Sequence, residues 1–301
     1  MCAPVVPEVS CYLWPAWLGL GGSGPPGPAT VLGVVSTEAT PGVLVWPSEG
    51  TSHGSIGLLH GITSSAGTWW RMGPGLAARG WDVTAIDLAG HGRAPRPVGA
   101  ISLEVLVELA LPLLPVRMAV LVGHSLGAVA ALAIANHRPG LADGILLEEP
   151  PGQDGIEMHL LARGMAAESA AAREDRAAYW RRVREENPAW SDEDVEQSVT
   201  SLEAADTDAL ATALSEDLGK WDLAGLVRAL SVPVMVVAAP SSDGKFPLIG
   251  ATALRGRDRE ELQRLVPPER FVVLEGGHSL HREHPQRMTE LISDFARSVT
   301  A

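Results

Sequence analysis

The residues best placed to do chemistry in this chain stand in Gly123-His124-Ser125-Leu126-Gly127. Five apolar residues suited to a buried strand, Met118 to Val122, run into this pentapeptide, and a helix-forming stretch, Ala128 to Asn136, follows directly. A serine held on a sharp strand-to-helix turn needs glycine two residues to either side, because a Cβ there would collide with the neighbouring backbone. Ser125 is therefore the candidate nucleophile. A serine hydroxyl attacks a carbonyl carbon only when a base removes its proton, a third group orients that base and donors stabilise the oxyanion.

Nine histidines compete for the role of base. His278 lies in Glu275-Gly276-Gly277-His278-Ser279, a glycine-rich loop after the last expected strand, where a side chain can project into a cleft at the carboxyl edge of a sheet. It is the expected base. His281 and His284 come later, near the start of the final helix, and read as surface or capping residues. His124 faces away from the cleft if Ser125 takes the apex of the turn. His60 and His91 each sit beside glycine after a strand and read as loop braces. The oxyanion donors are backbone N–H groups: Leu126, which opens a helix whose dipole favours negative charge, and Ile62, after the close-approach glycine of His60-Gly61-Ile62.

The elements that must position these groups alternate. Strands are expected at Thr30 to Ser36, Gly42 to Trp46, Ser55 to Leu59, Trp81 to Leu88, Gly144 to Leu147, Val232 to Ala238 and Phe271 to Leu274, besides the strand that enters Ser125. The first two, separated by a Thr-Pro-Gly turn, read as a hairpin. A helix is expected from Ser102 to Leu114 and an amphipathic one from about Pro285 to Val299. Strands alternating with helices imply a mostly parallel sheet covered on both faces.

Between Pro151 and about Gly225 the alternation stops. Helix formers dominate (Met158 to Ala172, Glu174 to Glu186, Asp192 to Ala205, Asp208 to Leu218), and Ser191 and Asp194 stand as a capping pair. This stretch holds 17 of the 36 acidic residues and 7 of the 23 basic ones, which is −10 of the formal −13, and it reads as a helical insertion with solvated outer faces. An acidic chain is a poor partner for nucleic acid or an anionic membrane. Residues 1–29 end in Gly-Gly-Ser-Gly-Pro-Pro-Gly-Pro, a linker composition. The leader's apolar patch from Cys11 to Leu18 lacks the positive flank of a signal peptide, since the first basic residue is Arg71, so a cytoplasmic protein is expected. Cys2 and Cys11 both lie in this leader, so neither a disulfide nor thiol catalysis is expected in the main fold. Only two of the basic residues are lysines, and Ala, Gly and Pro abound, as in proteins of high-GC bacterial genomes.

Taken in order, His60-Gly61, Asp87-x-x-Gly90-His91-Gly92, Gly123-His124-Ser125-Leu126-Gly127 and Gly277-His278 resemble the α/β-hydrolase family. The resemblance implies an α/β-hydrolase fold: a core of residues 30–150 and 226–301, and a helical cap, or lid, of residues 151–225. It implies serine chemistry without fixing the substrate, because the family includes esterases, lipases, lactonases, thioesterases and carbon-carbon bond hydrolases. Serine at the elbow speaks against the branches with a carboxylate nucleophile. The resemblance also supplies two candidates for the acid. Relatives commonly carry a Gly-x-x-Asp turn after the penultimate strand; here that strand runs into Ala239-Pro240-Ser241-Ser242-Asp243, with proline in place of glycine. Asp243 keeps the order Ser, Asp, His and is the favoured acid. Its rival is Glu149, at the end of the strand after the elbow helix, and strand alternation turns only one of Glu148 and Glu149 toward the cleft.

Trp69 and Trp70 follow the oxyanion loop, and Trp180, Trp190 and Trp221 lie in or beside the insertion, placed to line an apolar acyl or alcohol pocket. Neither metal-ligand spacing nor a phosphate-binding glycine loop is present, so no cofactor is expected. The expected activity is hydrolysis of an uncharged or weakly charged small-molecule carboxylic ester or lactone through an acyl-enzyme. Carbon-carbon cleavage of a dienoate and a slow-turnover ligand receptor are the alternatives.

Overall fold

The computed structural model describes residues 40–97, 99–153, 158–216, 218, 220–241 and 252–301. The leader, the strand expected at Thr30 to Ser36 and Asp243 lie outside the described residues. The chain runs β1 (Val43–Trp46), β2 (Ser55–Leu59), α1 (Met72–Ala77), β3 (Asp82–Ile86), α2 (Leu103–Ala110), β4 (Met118–His124), α3 (Leu126–His137) and β5 (Ala142–Glu148). Four helices follow without a strand: α4 (Met158–Glu174), α5 (Arg176–Glu186), α6 (Asp192–Ala204) and α7 (Thr207–Ser215). The last part is α8 (Leu223–Arg228), β6 (Val234–Ala238), α9 (Gly256–Leu265), β7 (Phe271–Val273), α10 (Leu280–Glu283) and α11 (Pro285–Thr300).

The seven strands form one sheet in the order β1-β3-β2-β4-β5-β6-β7, parallel except for β1, which pairs antiparallel with β3. The connection from β2 to β3 runs one way across the sheet and those from β4 onward run the other, so the order reverses between β2 and β4. A crevice at the carboxyl ends of the strands is expected at such a switch point. Alternate strand residues feed two cores. Leu59, Leu121, Ile145 and Val236 pack with α2 and α3 on one face. Leu58, Val122, Leu146 and Val237 pack with Met72 and Leu76 of α1 and Ile292 and Phe295 of α11 on the other. Burial on both faces explains why β4 reads as an unbroken apolar run.

Two element ends differ from the sequence expectation for local reasons. The helix from Ser102 stops at Ala110 and tightens into a 3-10 turn at Leu111–Leu113, where Pro112 cannot donate an N–H to the α-helical ladder. The elbow helix begins two residues early, at Leu126, because Ser125 itself is its N-cap. Ser191 and Asp194 form the expected capping box at the start of α6. Among the described residues no helix is long and apolar enough to cross a membrane.

His60 and His91 brace the loops after β2 and β3. The His60 Nε2 accepts the Leu88 N–H at 2.9 Å, and its Nδ1 donates to the Gly61 carbonyl at 2.8 Å. The His91 Nδ1 donates to the Ala89 carbonyl at 3.0 Å, with its ring 4.9 Å from that of His60. Burial pushes both imidazoles down, His60 to about 4 and His91 to about 3. The unfolded chain therefore binds protons below its ordinary histidine range, near 6.5, that the folded chain refuses. Stability is full above that range and falls as the pH drops from about 6.5 to about 4. Denaturation midpoints measured across this interval should fall, and fall less steeply in a His60→Gln variant; a flat wild-type profile would show that these rings take up protons without cost.

Candidate active site

Ser125 sits at the β4–α3 junction with φ 53° and ψ −119°, backbone that an L-residue adopts only under constraint. The constraint comes from close approach. A Cβ on Gly123 would overlap the Gly127 carbonyl, and one on Gly127 would overlap the carbonyls of Leu59 and His60. The Ser125 N–H donates to the Glu148 carbonyl at 2.9 Å, which ties the elbow to the end of β5. Leu126 is the first residue of a twelve-residue helix, so its N–H has no acceptor within that helix and stands at the positive end of the dipole. Ile62 lies in the loop after β2, and Ile62, Ser125, Leu126 and His278 all line one cavity of ≈ 190 Å³.

The strand beside the elbow ends in the same manner. His124 and Glu148 are register partners in the β4–β5 pair, and Glu149, like Ser125, takes a positive φ, 48°. Glu149 is fully buried. Its Oε1 accepts from the Ala239 N–H at 2.7 Å and from the Thr252 hydroxyl at 2.9 Å. Its Oε2 accepts from the Ala253 N–H at 2.6 Å and from the His278 Nδ1 at 3.3 Å. A carboxylate so surrounded by donors is held in one place, and the histidine it accepts from is fixed as the tautomer with Nδ1 protonated and Nε2 free to act as a base. Arg259 reaches the same region, donating to the Ala239 carbonyl at 2.8 Å.

The other histidines depart from the sequence reading. His281 is not a surface or capping residue: it is 3% exposed, and its Nδ1 and backbone N–H both donate to the Glu148 Oε1 at 2.8 Å. Its Nε2 meets the Thr68 hydroxyl at 2.7 Å. His124, expected to face away from the cleft, lines the cavity; its Nε2 donates to the His278 carbonyl at 2.8 Å, and its ring lies 4.8 Å from those of both His278 and His281. Glu148 and Glu149 thus each serve a histidine, whereas alternation alone assigned a single one of them to the cleft; the positive φ at Glu149 breaks the alternation. Burial pushes the Glu148 carboxyl up, opposed by the charges of His124 and His278 and by the His281 N–H. The sequence signal for this second pair was the Glu-Glu doublet followed by a His-x-x-His spacing. His124, Glu148 and His281 offer nitrogen and oxygen atoms within 4.8 Å of one another, the proximity a metal site needs. Both His281 nitrogens and the His124 Nε2 are engaged in hydrogen bonds, whereas the His124 Nδ1 and the Glu148 Oε2 are buried without a hydrogen-bond partner.

Of the tryptophans, Trp190 and Trp221 line the cavity. Trp69, Trp70 and Trp180 do not, which corrects the expectation for all three. Trp69 is fully buried in the core beneath α1, with its ring 4.8 Å from that of His281. Trp70 is 38% exposed and donates its Nε1–H to Asp194 of α6 at 3.0 Å. Trp180 packs in the separate core of the helical insertion with Tyr179 and Val183. The cavity walls contributed by the insertion are chiefly Leu161, Met165, Val183 and Leu202. α6 is joined to the sheet domain by an Arg71–Asp194 ion pair, and by Arg282, which donates to the Asp194 carbonyl at 2.6 Å and lies 4.4 Å from the Trp190 ring. Burial lowers Arg282 to about 10.

Comparison with known proteins places the fold. A methyl ester esterase acting on pimeloyl-[acyl-carrier protein], from Methylococcus capsulatus, is 37% identical over 113 residues, 35% of this chain and 43% of the esterase. A probable lysophospholipase of Arabidopsis thaliana, BODYGUARD 1, is 28% identical over 114 residues, 35% of this chain and 24% of that protein. The chain thus spans well under half the length of these curated relatives. Solved structures match far more of it at lower identity. An enol-lactonase from Burkholderia xenovorans superposes with a TM-score of 0.63 at 19% identity, over 85% of this chain and 96% of the lactonase. An N-formylmaleamic acid deformylase from Pseudomonas putida gives 0.62 at 23%, over 83% and 94%. The model of the α/β hydrolase family matches residues 58–291, from β2 into α11 and through every element that carries the site, and the chain belongs to that family.

Proposed function

We propose that the protein is a serine hydrolase that cleaves a small carboxylic ester or lactone, with Ser125, His278 and Glu149 as its triad. The observation that carries this reading is the Glu149 Oε2 held 3.3 Å from the His278 Nδ1, on the same cavity as a Ser125 strained into the elbow conformation. Glu149 replaces Asp243 as the favoured acid because its carboxylate has the burial, the donors and the histidine that the role requires.

In this reading the Ser125 Oγ attacks the carbonyl carbon while the His278 Nε2 takes its proton, and Glu149 stabilises the imidazolium. The Ile62 and Leu126 N–H groups receive the oxyanion. The C–O bond then breaks, the alcohol leaves with the proton from His278, and water enters by the reverse steps to release the acid. Residues 151–225 act as the cap, whose apolar side chains select the acyl or alcohol group. A cavity of ≈ 190 Å³ is smaller than the roughly 300–1,000 Å³ of pockets for drug-sized ligands, which favours a compact substrate. The esterase and the enol-lactonase named above act on bonds of this class.

Ser125→Ala should abolish both ester turnover and covalent labelling by a fluorophosphonate while leaving the fold intact; turnover near wild type would sink the serine mechanism. Glu149→Gln should lower kcat by about four orders of magnitude, in line with loss of the acid in serine proteases, and Asp243→Asn far less. The opposite ranking would return the acid to Asp243. For the cap, Trp190→Ala should change selectivity across a series of p-nitrophenyl esters of increasing acyl length, because Trp190 lines the cavity. Trp180→Ala should leave selectivity unchanged and lower stability instead, by about 3 kcal/mol; equal selectivity changes in both would show that the insertion's own core shapes the pocket.

A further inference from the structure

We infer that Glu148 is a positioning residue for the reaction, holding the His278 loop through His281 and adding a second carboxylate behind the imidazolium that forms when Ser125 gives up its proton. The inference rests on the Ser125–His278 reading above and extends it to a residue that touches neither the substrate nor the histidine ring directly.

Two connections fix the loop. The Glu148 Oε1 accepts both the backbone N–H and the Nδ1–H of His281, three residues beyond His278. His124, the register partner of Glu148 on β4, donates to the His278 carbonyl. The last residues of β4 and β5 before the two strained positions thus grip the segment that carries the base, and the strained residues themselves are the nucleophile and the proposed acid. The chain of bonds continues from the His281 Nε2 to the Thr68 hydroxyl, which accepts from the Arg282 Nε at 3.2 Å. With Nδ1 of His281 the donor to Glu148, Nε2 is the acceptor, and each hydroxyl and N–H along this chain has one consistent direction.

The charge argument follows from the same bonds. Oε1 already receives two donors, and Oε2 is buried with no hydrogen-bond partner. Either protonation state leaves Oε2 without a partner, and burial raises the carboxyl's pKa; what favours the charge is the pair of donors from His281 on Oε1, whose bonds are stronger to an ionised oxygen. The groups facing it are His124 on β4, Glu149 beside it on β5, and His278, His281 and the buried Arg282 from the segment after β7; beyond them Asp194 of α6 pairs with Arg71. Arg282 is the one permanent cation among the groups next to it, and its guanidinium is fully buried in bonds to Thr68 and α6, so Glu148 retains a field that reaches His278.

The test is the pH dependence of kcat/KM and of fluorophosphonate labelling in Glu148→Gln, which keeps the Oε1 acceptor and removes the charge. The acid limb, where the base becomes protonated, should move about one unit to lower pH, and kcat should fall about tenfold with KM within about twofold of wild type. Glu148→Asp retains the charge and is too short to reach both His281 donors. It should therefore keep the limb in place while kcat falls, which separates charge from positioning and serves if the Gln variant is insoluble. An acid limb unmoved in Glu148→Gln, or an unaltered kcat in Glu148→Asp, would reduce Glu148 to a structural brace and overturn the inference. Failure of the wild type to be labelled at all would sink the serine-hydrolase reading first, and this one with it.

Discussion

The structure depends on the close approach of three chain segments at the carboxyl ends of β2, β4 and β5. With no side chain at Gly123 and Gly127, α3 can start almost in contact with the carbonyls of Leu59 and His60. That approach forces Ser125 to φ 53°, a conformation costing about 1–3 kcal/mol, which the packing around the fully buried β4 must outweigh. It also sets the distance from the loop after β2 to the first N–H groups of α3, the gap in which an oxyanion would sit. The strain at Ser125 and the spacing between the loop after β2 and the start of α3 are therefore one constraint. Thr63, just past Ile62, is also at positive φ, so strained backbone occurs on both sides of this gap.

The second strained pair answers an electrostatic problem. A carboxylate taken wholly out of water is tolerated only when donors replace its hydration. Glu149 receives them from two stretches that flank the segment 242–251: Ala239 on one side, Thr252 and Ala253 on the other. The residues on either side of that segment thus supply the donors that hold a carboxylate arriving from β5.

Much of this was legible in residue order. The strand-turn-helix signal around Ser125 rests on local sterics, and the apolar runs of β2, β4 and β5 rest on burial of both faces; each is fixed by a few consecutive residues. His278 was legible for the same reason, as a glycine-flanked residue after the last strand. The choice between Glu149 and Asp243 is not legible there, because the contacts of Glu149 join residues about 90 to 130 positions apart and a positive φ overrides strand alternation. His281 was misread because an amphipathic pattern records only its own helix. Its burial comes from Glu148, Thr68 and Trp69, on segments far away in the chain. The tryptophans show the same limit: all five follow plausible positions, yet only Trp190 and Trp221 reach the cavity, and nothing local distinguishes them from Trp70 or Trp180.

The helical insertion and the chemistry are joined through the same short segment. Arg282 follows His281 directly, and its guanidinium contacts Thr68, the Asp194 carbonyl, Gln197 and the Trp190 ring. Asp194 in turn caps α6, accepts from Trp70 and pairs with Arg71, whose guanidinium also donates to the Arg282 carbonyl at 2.7 Å. One helix terminus of the insertion is thereby locked to the loop that bears the base by buried, charge-assisted bonds, which are stronger than neutral ones and costly to leave unpaired. α4 and α5 also line the cavity, and ion pairs such as Arg182 with Glu168 and Arg176 with Glu196 stay within the insertion. The α6 terminus is thus held by bonds to the segment that follows His278, and α5 by the insertion's own packing. Variation in α4 and α5 can therefore reshape the cavity without disturbing the Ser125–His278–Glu149 geometry, whereas variation at Asp194 or Arg282 acts on both together.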